Sequence, residues 1–316
     1  MYTLPALTET SQRRIDKHNR FPALVRSAHA VIDAGLTEYR VRHVWALFSG
    51  GHDSLTATHV ASQHPAFAGV IHIDTGTGVP ETEQYVRDIC ARYGWRLMVG
   101  KPATTYQQLI VEHGFPGPPQ HGIMYRYLKE RPLDQVRIGI QRECGEKIAF
   151  VGGMRSQESS RRMGNAEPHH QDRHGIWVSA IHNWTAMDVS TYVHLNALPR
   201  NQVKRNTHMS GECLCSAFAK QGEAQMYEYF YPDVAERIRR WETLVQQARE
   251  LQVWEAEHGF RAWADVMDQK HTVWGFRTAV PASQMELLPM CWACTADQAS
   301  NDISAAIDRD PTAARG

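Results

Sequence analysis

The chain has 316 residues, of which 42% are hydrophobic and 22% charged, and its 34 Lys and Arg residues balance its 34 Asp and Glu residues. This composition excludes a disordered chain, and the zero net charge argues against a protein that binds nucleic acid mainly through its charge. No run reaches the roughly 20 apolar residues of a membrane-spanning helix. The N-terminal sequence has no basic start followed by an apolar block, so we expect no signal peptide, no membrane partner and a cytoplasmic location.

The first two thirds of the chain alternate between helix and strand patterns. A helical segment is predicted up to about residue 40, and short apolar runs then predict strands at 44–48, 67–74, 95–100 and 147–153. Helices are predicted between these strands, over 53–62 and 80–94. Strands separated by helices of this length indicate an α/β fold, with a mostly parallel sheet and helices on both faces.

The pattern changes after about residue 216, where long charged helices follow one another. We therefore expect four parts, namely an N-terminal helical segment (1–40), an α/β domain (41–205), a helical region (206–300) and a flexible tail (301–316).

The sequence Ser-Gly-Gly-His-Asp-Ser, residues 49–54, joins the first strand to the first helix of the α/β domain. Gly50 and Gly51 destabilise both a strand and a helix, but they let the backbone approach a ligand closely. Backbone N–H groups at a helix N-terminus bind phosphate, and Ser49 and Ser54 add hydroxyl groups. The pattern is neither GxxxxGK[ST] nor GxGxxG. Taken alone, it is as consistent with a structural helix cap as with a phosphate site.

Two further motifs follow later strands. Asp-Thr-Gly-Thr-Gly-Val-Pro-Glu-Thr occupies residues 74–82, and Gly-Gly-Met-Arg-Ser-Gln-Glu-Ser-Ser-Arg-Arg occupies residues 152–162. The carboxyl ends of parallel strands share one edge of a sheet, where ligands of such folds bind. Arg155, Arg161 and Arg162 could clamp phosphate or sulfate there, although an isolated basic loop of this kind is more often only solvated.

Together with residues 181–203, these three motifs resemble the PP-loop superfamily, and within it the phosphoadenosine phosphosulfate reductase family, near the DNA-phosphorothioation ATP pyrophosphatases. The resemblance runs from about residue 44 to residue 294. It implies an adenine nucleotide α-hydrolase-like domain with an adenosine-nucleotide site. Asp188 and the turn 198–201 match the segment that covers the substrate side in this family.

The resemblance carries the family's nucleotide-binding positions onto residues of the three motifs. Those in the first motif are Ser49, Gly50, Gly51, Asp53 and Ser54, and those in the others are Asp74, Thr75, Gly76, Arg155, Ser159 and Arg161. His52 stands where ATP-using members often carry Lys, and a neutral imidazole would hold phosphate less well. Asp53, Arg155 and Arg161 are the expected catalytic residues, and Asp53 and Asp74 are expected to hold the Mg²⁺ of Mg-ATP, directly or through water.

The intact first motif favours ATP cleavage between the α and β phosphates, because reductases of this family usually carry a degenerate loop. They also carry a catalytic Cys near the C-terminus, and no Cys follows Cys294. We therefore expect an ATP pyrophosphatase that adenylates an acceptor for sulfur transfer, with a sulfur donor or reductant protein and nucleic acid as candidate partners. The alternatives are a phosphoadenosine phosphosulfate reductase and a nucleotide-binding subunit of a larger modification or defence complex.

Four of the six cysteines form two close pairs, and we expect them to bind a metal. They are Cys213, Cys215, Cys291 and Cys294. Four thiolates suit a four-iron four-sulfur cluster, which similar relatives that modify nucleic acid carry on late cysteines, or else zinc. A disulfide or no ligand is the remaining alternative. Residues 125–134 look like the segment that carries a paired-Cys cluster motif in some relatives, but this segment has no Cys.

A cluster of histidines, His169, His170 and His174, lies in a polar stretch after the arginine motif. We expect a mobile polar loop over the site there, with a metal site as the less favoured alternative.

Overall fold

The computed structural model describes residues 9–158, 167–219 and 222–257. Its central feature is a six-stranded sheet with the strand order β3-β2-β1-β4-β6-β5. The strands are β1 (His43–Leu47), β2 (Phe67–Ile73), β3 (Leu97–Gly100), β4 (Ile148–Val151), β5 (His169–Gln171) and β6 (Ile176–Val178). All neighbouring strands pair in parallel except β5 and β6, which are antiparallel. The predicted α/β class with a mostly parallel sheet is therefore confirmed.

Ten α-helices are described in these parts of the chain. They are α1 (Glu9–Tyr39), α2 (His52–Ala61), α3 (Pro80–Tyr93), α4 (Tyr106–His113), α5 (His121–Tyr125), α6 (Arg131–Cys144), α7 (Ala186–Leu195), α8 (Gln202–Thr207), α9 (Glu223–Phe230) and α10 (Pro232–Glu257). A π-helical segment, Arg126–Glu130, joins α5 to α6. Among the described helices, none has both the length and the apolar character needed to cross a membrane.

The sheet is covered by helices on both faces, as predicted. Because side chains alternate along a strand, Val44 and Trp45 of β1 point to opposite faces. Val44 belongs to a core that includes residues of α1, α2, α3 and α7. Trp45 belongs to a second core that includes Leu133 and Ile140 of α6. The burial of apolar side chains on both faces fixes the orientation of β1, whose carboxyl end carries the first motif.

The late helices pack with α4 and the segment before α6 in a third core. Tyr106 of α4 and Trp241 of α10 are buried there, with their rings in edge-to-face contact at 4.8 Å. Leu214 and Cys215, from the loop between α8 and α9, are part of the same core. The helical region thus holds the first cysteine pair against the α/β domain.

The histidine-rich stretch is not a loop over the site, and that prediction is wrong. His169 and His170 lie in the edge strand β5, and His174 lies in the turn to β6. The Asp172 carboxylate accepts hydrogen bonds from the backbone N–H groups of His174 and Gly175 and stabilises this turn. Because β6 runs parallel to β4, the turn lies at the amino end of the sheet, opposite the motif loops.

Candidate functional site

The first and third motifs meet where the strand order reverses. The chain passes from β1 to β2 and β3 on one side, then crosses to β4 on the other side of β1. Residues 49–54 follow β1 and residues 152–155 follow β4, so both loops lie at the carboxyl ends of adjacent strands. Open α/β sheets bind ligands at such a switch point.

The loop after β1 is a tight turn that presents the N-terminus of α2. Gly50 has φ +82°, and a Cβ there would lie 2.8 Å from Cγ2 of Thr82, so only glycine fits without strain. Gly51 is the N-cap residue of α2. The hydroxyl groups of Ser49 and Ser54 lie 3.0 Å apart, and that of Ser54 donates to the Gly51 carbonyl at 3.0 Å. The turn has the form of an anion-binding helix start.

Two predicted catalytic residues, Asp53 and Arg155, form an ion pair across the switch point. Nε of Arg155 donates to Oδ1 of Asp53 at 2.7 Å, and Nη2 donates to Oδ2 at 3.3 Å. The Arg155 side chain is only 2% exposed, whereas that of Asp53 is 21% exposed. This buried, two-point contact fixes the start of α2 against the loop that follows β4.

His52, the first residue of α2, is buried and carries no charge at neutral pH. Burial lowers the pKa of its ring to about 3, and the positive charges of Lys204 and Arg200 contribute to the lowering. Neither ring nitrogen has a hydrogen-bond partner among the described residues. His52 therefore cannot supply the positive charge of the Lys that ATP-using relatives often carry at this position.

The turn 198–201 contacts the first motif through Asn201. Asn201 is 1% exposed. Its side-chain amide donates to the carbonyl of Gly50 at 3.1 Å, to Oγ1 of Thr82 at 3.2 Å and to the carbonyl of Ser210 at 3.1 Å. A single buried side chain thus joins the first motif, α3 and the loop that leads to the cysteines.

Asp188 has a structural role. Its carboxylate accepts hydrogen bonds from the backbone N–H and the hydroxyl of Thr185, which completes a capping box at the start of α7. It also accepts from Nη2 of Arg20 at 2.9 Å. These contacts account for its burial at 4% exposure.

Asp74 lies at the carboxyl end of β2 and is charged at neutral pH. Its carboxylate contacts Nζ of Lys101 at 2.9 Å and accepts the backbone N–H of Gly76 at 2.9 Å. Burial alone would raise the pKa of Asp74, but these two hydrogen bonds and the Lys101 charge outweigh it, so the pKa is lowered. Like Asp53, this predicted magnesium ligand is held by a cationic side chain.

The loop after β2 is interlocked with the cysteine loop. The Thr75 hydroxyl donates to the carbonyl of Glu212 at 3.0 Å, and the Thr77 hydroxyl accepts the backbone N–H of Leu214 at 3.0 Å. The Thr77 hydroxyl also lies 3.6 Å from Sγ of Cys213. The second motif therefore contributes directly to the position of the first cysteine pair.

A Thr77→Val substitution is expected to lower the free energy of unfolding by about 1–3 kcal/mol, because the buried N–H of Leu214 loses its acceptor. Urea denaturation measures the change. Thr58→Val is the matched control, since Thr58 is also fully buried but its hydroxyl has no hydrogen-bond partner among the described residues. That variant should be neutral or more stable, and an equal loss in both would contradict the role given to Thr77.

Cys213 and Cys215 share one environment with Lys129. The hydrogen bond with Cys215 lowers the pKa of the Cys213 thiol, burial opposes this, and the charge of Lys129 lowers the pKa further; the net shift is downward. Nζ of Lys129 also contacts Oε2 of Glu212 at 2.7 Å. The Lys129 charge thus favours the thiolate form at Cys213, whereas the hydrogen bond with Cys213 and burial raise the pKa of the Cys215 thiol.

The remaining predicted ligands and contact residues, Ser159, Arg161, Cys291 and Cys294, lie outside the described residues. Among the residues that the structure describes, no group of three His, Cys, Asp or Glu side chains could hold a metal ion. The four-cysteine site therefore stays a prediction, of which the structure describes one half.

Arg237, on α10, was not predicted from the sequence. Nη2 donates to the carbonyls of Thr77 and Gly78 at 2.8 and 2.6 Å, and its guanidinium lies 5.2 Å from the ring centre of Trp241. It lines a cavity of about 220 Å³ beyond β2, with Asp74, Glu83 and Glu212 among the other lining residues. A larger cavity of about 370 Å³ lies near the amino ends of β4 and β6 and contains no predicted site residue.

Lys129 was also missed, although the sequence held one signal for it. It lies in the segment 125–134, which resembled the cluster-bearing segment of some relatives, and the structure places it beside Cys213. The resemblance thus pointed to this segment, but it did not single out Lys129. Arg237 had no comparable signal, because it reaches the second motif from 160 residues away.

The fold and the site together define a doubly wound α/β protein with a tight glycine turn and a helix start at its switch point. The family model described as phosphoadenosine phosphosulfate reductase domain matches residues 43–210, just over half of the chain. The chain belongs to this family, and the family named from the motifs is confirmed.

Individual relatives are distant. The chain is 26% identical over 203 residues to the phosphoadenosine 5'-phosphosulfate reductase of Alkalilimnicola ehrlichii. The matched region covers 60% of this chain and 79% of that protein. Among solved structures, a phosphoadenylyl-sulfate reductase from Candida auris has a TM-score of 0.43 at 19% identity and covers 64% of this chain and 93% of its own. The FMN adenylyltransferase of Candida glabrata, in complex with FMN and an ATP analogue, has a TM-score of 0.45 at 10% identity and covers 65% of each chain.

Proposed function

We propose that the protein is an ATP pyrophosphatase that adenylates an acceptor and so prepares it for sulfur transfer. One observation carries this proposal. The complete Ser-Gly-Gly-His-Asp-Ser loop is folded as an anion-binding helix start and is locked by the Asp53–Arg155 ion pair at the switch point. A full loop of this kind suits the triphosphate of ATP, whereas an already activated sulfonucleotide has less need of it.

In the proposed reaction, an oxygen of the acceptor attacks the α phosphorus of ATP. The bond from that phosphorus to the bridging oxygen of the β phosphate breaks, and pyrophosphate leaves with the electron pair. Backbone N–H groups of the loop 49–54 hold the phosphates, and Arg155 holds Asp53 in position. Asp53 and Asp74 are the carboxylates proposed to hold Mg²⁺, which would neutralise phosphate charge when bound.

A sulfur nucleophile then displaces AMP from the adenylated acceptor. Cys213 and Cys215 are proposed to hold a four-iron four-sulfur cluster together with Cys291 and Cys294, and the converging pair beside Lys129 fits one half of such a site. Zinc is the alternative for four thiolates. A bound cluster would supply sulfur for this second step, or would only hold the C-terminal helices to the sheet. The proposal implies a sulfur donor or reductant protein as a partner and nucleic acid as a candidate acceptor.

Reduction of phosphoadenosine phosphosulfate is the second candidate, because the Alkalilimnicola ehrlichii relative is named as such a reductase. One experiment separates the two functions. The protein is purified without oxygen and incubated in parallel with Mg-ATP and with phosphoadenosine phosphosulfate plus thioredoxin, and pyrophosphate and sulfite are both measured. Pyrophosphate without sulfite, lost on Asp53→Ala, is the expected result. Sulfite without pyrophosphate would overturn the proposal and make this chain a reductase.

A further inference from the structure

The surroundings of His52 contain positive charge that the first motif itself lacks. His52 is 4% exposed, and both ring nitrogens lack hydrogen-bond partners among the described residues. A buried polar group without a partner costs free energy, and such groups in native structures often mark the place of a ligand. The ring lies at the start of α2, where the helix dipole and the loop N–H groups favour an anion.

Two cations lie beside this ring, and both come from the segment that covers the loop. The charges of Lys204 and Arg200 are close enough to His52 to disfavour its protonation. Asn201 lies between them in the sequence and anchors the segment to the phosphate loop through the carbonyl of Gly50, at 3.1 Å. Lys204 is only 3% exposed, which is rare for a lysine. Two positive charges gathered at a helix start create a strongly favourable place for an anion.

We infer that Lys204, assisted by Arg200, binds the β and γ phosphates of ATP and supplies the positive charge that His52 does not. This inference rests on the proposed function and names the residues that make a triphosphate the preferred ligand. Lys204 is thus a binding residue provided by α8, outside the three motifs. The arrangement explains how the loop can carry His at a position often held by Lys without losing its affinity for polyphosphate.

Equilibrium binding of Mg-ATP, Mg-pyrophosphate and AMP to the full-length protein tests the inference. Lys204→Met is expected to weaken the binding of ATP and pyrophosphate at least about tenfold, because one charge-assisted contact is lost. The binding of AMP, which lacks the β and γ phosphates, should change less than about twofold. Lys204→Arg should restore most of the affinity for ATP. Arg205→Met, an exposed cation one residue further along α8, is the matched control and should bind all three ligands like the wild type.

A purely structural role for Lys204 would weaken the binding of AMP and ATP alike. ATP binding within about twofold of wild type in Lys204→Met overturns the inference and leaves the proposed function intact. A wild-type protein that binds neither ATP nor pyrophosphate overturns both. If Lys204→Met fails to fold, Arg200→Met takes its place, because Arg200 is only partly buried, and it should show the same selective loss of ATP and pyrophosphate binding.

Discussion

An Arg155→Met variant is expected to lose about a hundredfold in pyrophosphate release and about 3 kcal/mol in the free energy of unfolding. The loss of activity follows because Asp53 and the start of α2 are no longer fixed, and a misplacement of about 1 Å at a reacting site costs about 10²-fold in rate. The loss of stability follows because the substitution leaves the Asp53 carboxylate without its buried partner, which typically costs about 3–5 kcal/mol. Pyrophosphate release and urea unfolding measure the two effects.

Arg42→Met is the matched control for this variant. Arg42 also pairs with a carboxylate, Glu146, at 3.0 Å, but its side chain is 79% exposed. Surface pairs of this kind contribute about 0–1 kcal/mol, so this variant should keep its stability and its activity. Equal losses in the two variants, or a fully active Arg155→Met, would show that the buried pair has no special role.

Adding one methyl group at Gly153 is expected to lower ATP affinity and pyrophosphate release about a hundredfold. A Cβ at this position would lie 2.7 Å from the backbone C of Asp53 and 2.7 Å from the backbone N of Ser54. Backbone atoms cannot move aside as a flexible side chain can, so Gly153→Ala must displace the phosphate loop. A displacement of about 1 Å at a reacting site costs about that factor. Isothermal titration with Mg-ATP and the pyrophosphate assay measure the loss.

The neighbouring glycine provides the control for this prediction. A Cβ added at Gly152 meets no atom within 4 Å, so Gly152→Ala should bind ATP like the wild type. The account would be contradicted if both variants bound ATP normally, because the loop after β4 would then not set the position of the loop after β1.

The sequence was sufficient to predict the sheet and the edge at which the motifs meet. Apolar runs placed β1, β2, β3 and β4 within two residues of their observed positions, since each strand is a short apolar run between helical segments. The rule that ligands bind beyond the carboxyl ends of parallel strands then brought Asp53 and Arg155 to one place. Their direct ion pair did not follow from the pattern, because it depends on the side-chain geometry of two loops 102 residues apart.

The contacts that surround the motifs were beyond prediction for a physical reason. Arg237 and Lys129 occupy charged helical stretches in which most cations face solvent. The packing of α10 directs Arg237 to the second motif, and the π-helical segment brings Lys129 to Glu212 in the cysteine loop. The prediction for the histidine-rich stretch was wrong for another reason. Its polar composition suggested a loop, but the Asp172 turn and pairing with β6 place it in an edge strand.

The central claim is that the site binds ATP. It is tested most directly by comparing the affinities for ATP and for 3'-phosphoadenosine 5'-phosphate, the product of a phosphoadenosine phosphosulfate reductase. Equilibrium binding of each nucleotide to the wild-type protein, with Mg²⁺ present, gives the two affinities. The account predicts that ATP binds at least about tenfold more tightly, since its β and γ phosphates occupy the loop 49–54 and the Lys204 charge. Tighter binding of 3'-phosphoadenosine 5'-phosphate, with no measurable binding of ATP, would contradict it.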